Sequence, residues 1–255
     1  MKAPAQLLVA ASLLVACSET PTVIPTKNLD RPTDMGFACL GILMDADGRP
    51  VTDSEGRLLL SGQPMNVCHP PNAVDPPVVT NGQRTLGTFA FVPNTGRGEL
   101  AVGDLDSGRL LDLGPLSPGY GMLPIGGDAD RIAASQDGCW IATANRTTCD
   151  FALIDPARLL AGAFSNSSST VSPTTCAGTL PADCAAEPLR RLVVRTNAGP
   201  LRTAVGDIAF LPNAAPGTSC QAQARPRAVA TFPGCDLVAL LDLSFADATA
   251  TITSA

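Results

Sequence analysis

The chain has 255 residues, of which 45% are hydrophobic and only 16% charged, and its formal net charge at pH 7 is −6. That length supports a sizeable core in one or two domains, and the acidic balance argues against nucleic acid as a partner. Aromatic residues make up 4%, which weighs against a carbohydrate surface built from aromatic platforms, whereas 23 Gly and 23 Pro fit a turn-rich β-domain.

In chain order, a short start containing Lys2 leads into an apolar run from Leu7 to Ala16. The run is far too short to cross a bilayer as a helix. It closes on Leu14-Val15-Ala16-Cys17. This motif resembles the lipobox of bacterial lipoproteins, in which the signal is cleaved before the cysteine and the cysteine is acylated. The resemblance implies a signal peptide over residues 1–16, a lipidated Cys17 (palmitate-type acyl chains) and a tether over 17–30. It also implies a membrane partner reached through the lipid, outside the cytoplasm. An ordinary secretory signal is the alternative. Ser18 rather than Asp after the cysteine points to the outer membrane of a Gram-negative bacterium, by analogy with lipoprotein sorting. Ser18-Glu19-Thr20-Pro21-Thr22 is polar, as a tether should be.

With Cys17 assigned to lipid, eight cysteines remain: Cys39, Cys68, Cys139, Cys149, Cys176, Cys184, Cys220 and Cys235. An even number in an exported chain reads as disulfides. The chain has no C-x-x-C pair and a single histidine, His69, so no metal site and no cofactor are expected.

Residues 31–85 form an N-terminal β-rich segment, with strands expected over residues 37–44 and 57–61. Asp45-Ala46-Asp47-Gly48 begins like a calcium loop, but Val51 and Gly56 stand where later ligands belong, so a turn is expected. His69 lies beside Cys68, Pro70 and Pro71. Adjacent residues in a Pro-rich stretch do not orient a dyad for proton transfer, and Cys68 is a better disulfide candidate.

From residue 86 the chain repeats itself. Phe89 to Asp106 and Trp140 to Asp155 each read as a strand, a polar turn and a strand ending in Asp, and Cys235 to Asp242 preserves the later part. Asp130 to Gly138 corresponds to Gly206 to Asn213. A unit of three or four strands over about fifty residues is close to the size of a propeller blade. A loop insertion over 161–189 separates the second and third copies. Glu187, Arg190, Arg191 and Arg195 flank its far side as ordinary surface charges. The recurring Asp104, Asp106, Asp155 and Asp242 read as residues that cap their own turns.

The second unit resembles the repeat of surface-layer and YncE-like β-propellers over Ile132 to Gly138, Ile141 to Asn145 and Phe151 to Asp155. It departs from that pattern at Thr143, where the family has an aromatic residue, and in its cysteines. The resemblance implies an all-β, β-propeller-like array of antiparallel blades over residues 86–255. Three units fall short of the four that a closed propeller usually needs. Either residues 31–85 add a degenerate blade, the sequence is part of a longer protein, or the array is open. A generic β-sandwich is the competing fold.

Placed on this repeat, Cys139 with Cys149 and Cys220 with Cys235 would occupy equivalent places, each closing a hairpin. Cys39 with Cys68 and Cys176 with Cys184 follow by proximity. No Gly-x-Ser-x-Gly, His-Glu-x-x-His or Walker loop is present. The sequence therefore reads as a lipid-anchored, non-catalytic binding or scaffolding module for an envelope protein or glycan, leaning away from an enzyme. The alternative is a propeller-type hydrolase, lactonase or lyase using carboxylates that converge on a central channel.

Overall fold

The computed structural model describes residues 28–52, 56, 58–69, 79–80, 83–113, 121–161, 188–212 and 226–254. Cys17, the signal and most of the tether lie outside them, as do Cys176, Cys184, Cys220 and residues 162–187 of the insertion.

The described chain is all-β, with two main sheets. The first contains β1 (Gly36–Ile42), β2 (Leu60–Gln63), β5 (Leu86–Asn94), β6 (Glu99–Asp104), β7 (Arg109–Leu110) and β8 (Leu123–Pro124). A one-turn helix α1 (Met65–Cys68) follows β2, and β3 (Val79–Thr80) and β4 (Gln83–Arg84) form a small hairpin of their own. The strand order is β2-β1-β5-β6-β7, so β1 belongs to the same sheet as the first repeat. Among the described residues, 31–85 therefore add no separate sheet beside it, except for the β3–β4 hairpin.

The second sheet holds β9 (Ala129–Ala134), β10 (Ile141–Asn145), β11 (Asp150–Ile154), β12 (Leu189–Thr196), β13 (Gly199–Pro200), β14 (Ile208–Phe210), β15 (Arg227–Phe232), β16 (Leu237–Ser244) and β17 (Thr249–Ser254). Antiparallel runs β9 to β12 and β14 to β17 join through a parallel pairing of β12 with β17, Val193 opposite Thr249. The end strands β9 and β14 pack against each other, which makes a nearly closed barrel of eight strands. A short helix α2 (Pro156–Leu159) follows β11, capped by the Asp155 carboxylate, which accepts from Arg158 N at 3.0 Å.

Of the five described hairpins that share one geometry, three hold equivalent places in the repeated units. Asn94 faces Glu99, Asn145 faces Asp150, and Phe232 faces Leu237 across four-residue loops. The last loop residue is left-handed each time: Gly98 (φ +66°), Cys149 (φ +55°) and Asp236 (φ +49°). A strap crosses the first two in the same way. Gly96 N donates to Asp30 O at 3.0 Å, and Thr147 N donates to Gly127 O at 3.2 Å. Left-handed Arg31 and Asp128 follow, and then Pro32 pairs with Asn94 and Ala129 with Asn145.

Two cores result. One lies between the first sheet and one face of β9–β11, with Leu40, Phe89, Phe91 and Val102 against Ile132, Ile141 and Ile154. The other fills the barrel, with Trp140, Phe151, Leu153 and Leu192 against Phe232, Leu241 and Leu243. Strands β10 and β11 thus bury every residue. This explains their near-continuous apolar sequence in place of the alternation of a one-sided sheet. The sheets approach closely at Gly62 and Gly138. A Cβ on Gly62 would lie 2.6 Å from the Gly138 carbonyl carbon, and one on Gly138 would lie 2.6 Å from Gln63 O.

Candidate functional site

The hairpin registers place Asp34, Arg131 and Asp207 at one position, just before the equivalent residues Met35, Ile132 and Ile208. These charged residues stand where the first strands of the three hairpin units come together. Arg131 Nε donates to Asp207 Oδ1 at 2.6 Å. Asp34 is tied down by main-chain donors, with Oδ1 accepting from Met35 N at 2.8 Å and Oδ2 from Ile132 N at 3.1 Å. The Asp207 hydrogen bond and charge, with smaller contributions from Asp130 and Asp34, push the Arg131 pKa upward. Asp130 pairs through Oδ2 with Arg146 Nε at 3.1 Å, while its buried Oδ1 has no hydrogen-bond partner. One guanidinium thus faces three carboxylates, of which Asp207 is exposed to solvent.

Chemically, such a group can neutralise an anionic substrate or a developing oxyanion, and an exposed carboxylate beside it can accept a proton. Converging carboxylates belong only to the alternative reading of the sequence, and Asp34, Arg131 and Asp207 are not among the candidate site residues it offers. The available signal was Asp207 and Arg131 each preceding Ile-Ala in the matched segments Asp130 to Gly138 and Gly206 to Asn213.

A second polar cluster lies on the first sheet. Arg84 pairs with Asp104 and with Asp106, and its Nε donates to Leu86 O at 2.8 Å. Asp106 Oδ2 accepts from Thr88 N at 3.0 Å, and the Thr88 hydroxyl lies 2.8 Å from His69 Nε2. Burial raises the Asp104 pKa, but hydrogen bonds from Arg84 and Ser107 outweigh it and leave the group below its ordinary value. His69 is therefore held by Thr88 rather than by Cys68.

The turn roles expected for aspartates hold at Asp45, which accepts from Asp47 N and Arg49 N, at Asp104, which accepts from Asp106 N, and at Asp155. Asp242 differs. Strand β16 runs on to Ser244, so Asp242 sits within it, opposite Arg227. A buried network went unforeseen. Asn145 Nδ2 donates to Asp150 Oδ1 and to Ile125 O, Thr148 Oγ1 donates to Asp150 Oδ1 at 2.8 Å, and Arg191 pairs with Asp150 Oδ2.

Cys39 and Cys68 are joined, with Cα atoms 5.7 Å apart. The expected Cys139–Cys149 and Cys220–Cys235 bridges are not made, because Cys149 and Cys235 are free thiols. Cys139 is disulfide-bonded, but not to Cys149. The reason lies in the register. The turn falls between Asn145 and Asp150, so Ile141 faces Ile154, and Cys139 lies a whole strand, roughly 15 Å or more, from Cys149, far beyond bridging range. Nor are the sites equivalent: Cys149 matches Asp236, and Cys235 matches Thr148. Cys176–Cys184 and the Cys17 lipidation lie outside the described residues. Among the described residues no three His, Cys, Asp or Glu side chains group as a metal site, and no helix is long and apolar enough to cross a membrane.

No family model and no curated protein matches the chain. Solved structures similar to it include Kuenenia stuttgartiensis hydrazine synthase (9% identity, TM-score 0.33), over 64% of this chain and 31% of that one. Another is the dihydro-heme d1 dehydrogenase NirN in complex with DHE (14% identity, TM-score 0.36), over 87% and 34%. This chain thus spans about a third of each neighbour's length. At those TM-scores neither activity transfers. Both neighbours are enzymes, which runs against the expected lean away from an enzyme.

Proposed function

We propose that the chain is a lipid-anchored, extracytoplasmic enzyme of the hydrolase, lactonase or lyase type, working at the Arg131–Asp207 cluster. The observation that carries this reading is the convergence of one arginine and three aspartates at the ends of equivalent strands. In a hydrolytic cycle Asp207 takes a proton from water, the hydroxide adds to a carbonyl carbon, and Arg131 stabilises the oxyanion until the leaving oxygen departs with a proton. The common hairpin and strap geometry supports the finer fold reading, in which the three units are blades of an open propeller-like array. The lipobox-like motif at Cys17 supports anchoring in the outer membrane, with access to envelope substrates and partners.

The test is turnover of a panel of soluble aryl esters, γ-lactones and uronate-containing oligosaccharides by the full-length protein. Asp207→Asn and Arg131→Gln should each lower kcat about a hundredfold. Absence of turnover on every class, or full activity in Asp207→Asn, would overturn the reading. Cys17→Ser should shift the protein out of the membrane fraction.

A further inference from the structure

The three units stack in a single sense. The face of the second unit that carries Ile132 and Ile141 packs on the face of the first that carries Phe89 and Val102. The face of the third unit that carries Ile208 and Ala228 packs on the opposite face of the second, with Phe151 and Leu153. Each contact therefore joins a leading face to a trailing face.

Equivalent residues report which faces are covered. On the leading faces Ile132 is 7% and Ile208 8% exposed, but Met35, at the same register position in the first unit, is 47% exposed. On the trailing faces Leu100 and Phe151 are each 0% exposed, but Val238, at the same position in the third unit, is 60% exposed. One leading face and one trailing face are thus left without the neighbour that covers their equivalents.

Both are apolar. Beside Met35 stands Phe37, 41% exposed, in a cross-strand row with the small residues Ala90 and Gly103. Helix α1 and the Cys39–Cys68 bridge cover the next row and leave the Met35–Phe37 end open. On the other face exposed Val238 stands opposite Thr231 beside half-buried Val229 and Leu240, with the Arg227–Asp242 cross-strand pair at the patch edge.

We propose that the leading face of the first unit seats on the trailing face of the third unit in a second copy of this chain, head to tail. The argument for a second copy is continuity. Inside the molecule a leading face meets a trailing face at both existing contacts, and the two uncovered faces are one of each kind. A lipid surface or an unrelated partner would call for only one of them. Such a heterologous contact closes into a ring or extends, according to the rotation between copies. The proposal is independent of the catalytic reading and survives the loss of it.

The test is sedimentation velocity of the full-length protein in density-matched detergent micelles across a dilution series. Wild type should associate reversibly. Phe37→Glu and Val238→Glu should each sediment as monomers with unchanged far-UV circular dichroism, and Met35→Lys substitutes if Phe37→Glu fails to fold. An equal mixture of Phe37→Glu and Val238→Glu should recover a dimer and stop there, because each retains the face the other lacks. A wild type that is monomeric at every dilution would overturn the proposal. So would single variants that associate like wild type, or a mixture that stays monomeric. Loss of vesicle binding in Phe37→Glu alone, with no change in association, would assign that face to lipid instead.

Discussion

The middle unit, β9–β12, and the last unit, β14–β17, have the same hairpin but opposite surroundings. The middle hairpin is covered on both faces, whereas the last is covered on one. The same backbone therefore tolerates different side chains according to what lies above it: Phe151 in the middle unit is fully buried where Val238 in the last is exposed. Burial at a repeat position is set by the neighbouring unit, not by the hairpin itself.

The sharpest way to break this comparison is truncation at the two equivalent positions. Phe151→Ala should cost about 3–5 kcal/mol, the usual penalty for emptying an aromatic site in a packed core. In the dissociated protein, at high dilution, Val238→Ala should stay within about 0.5 kcal/mol, as exposed changes do. Urea unfolding measures both. Similar losses at the two sites would mean that Val238 is already covered in solution.

The second-largest effect concerns the first unit, which alone among the described hairpin units carries an internal bridge. Closing the 29-residue separation between Cys39 and Cys68 is worth roughly 3–4 kcal/mol in the chain-entropy picture. The Cys39→Ala/Cys68→Ala protein should lose about that much, read as a drop in the denaturation midpoint. It should also free His69, whose contact with Thr88 depends on where the bridge holds α1. The Cys149 and Cys235 thiols should react with a maleimide in the folded protein, and a folded protein in which neither reacts would contradict their free state.

These outcomes bear on what could be read from the chain. The strands of the middle unit were legible because their apolar runs end at Asn-Arg-Thr-Thr and at Asp155-Pro156, whose turn chemistry is local. The disulfide error had a local cause too. The loop was set by the cysteines rather than by the left-handed position that closes it, and Cys149 occupies that position where glycine stands in the first unit. The strap over residues 30–34 has no sequence signature, because Asp30-Arg31-Pro32 and Gly127-Asp128-Ala129 share a backbone path but almost no chemistry. The parallel pairing of β12 with β17 links segments more than fifty residues apart, and no local pattern encodes it. The charged cluster at Arg131 leaves only a faint trace, the matched positions of Arg131 and Asp207 before Ile-Ala. Its members are separated along the chain and meet only because three first strands converge.

A smaller effect distinguishes the middle and last hairpins at their turns. Asp150→Ala should cost about 2–3 kcal/mol, because it leaves the buried Asn145 amide with one acceptor fewer and Arg191 without its partner. Leu237→Ala, at the matching place in the last hairpin, removes only apolar contact and should cost less. Equal costs, measured by thermal unfolding, would show that the network around Asp150 adds nothing beyond packing.

The smallest expected effect is a difference of sign. Asp104 and Asp155 are equivalent residues at the ends of β6 and β11. Burial raises the pKa of both. At Asp104 the Arg84 guanidinium and the Ser107 donors outweigh burial, and the net shift is downward. At Asp155 the Arg158 main-chain donor and charge do not outweigh it, and the net shift is upward. By linkage, the lowered group contributes stability above its unfolded pKa, and that contribution disappears as pH falls through its folded value. The raised group does the reverse: its contribution is complete below the unfolded value and is lost as pH rises through the folded one. Across the ordinary carboxylate range near pH 4, Asp104→Asn should flatten the acid-side loss of stability, whereas Asp155→Asn should steepen it. Two variants that change the pH profile in the same direction would show that the Arg84 pair, the feature that separates the two turns, does not hold Asp104 ionised.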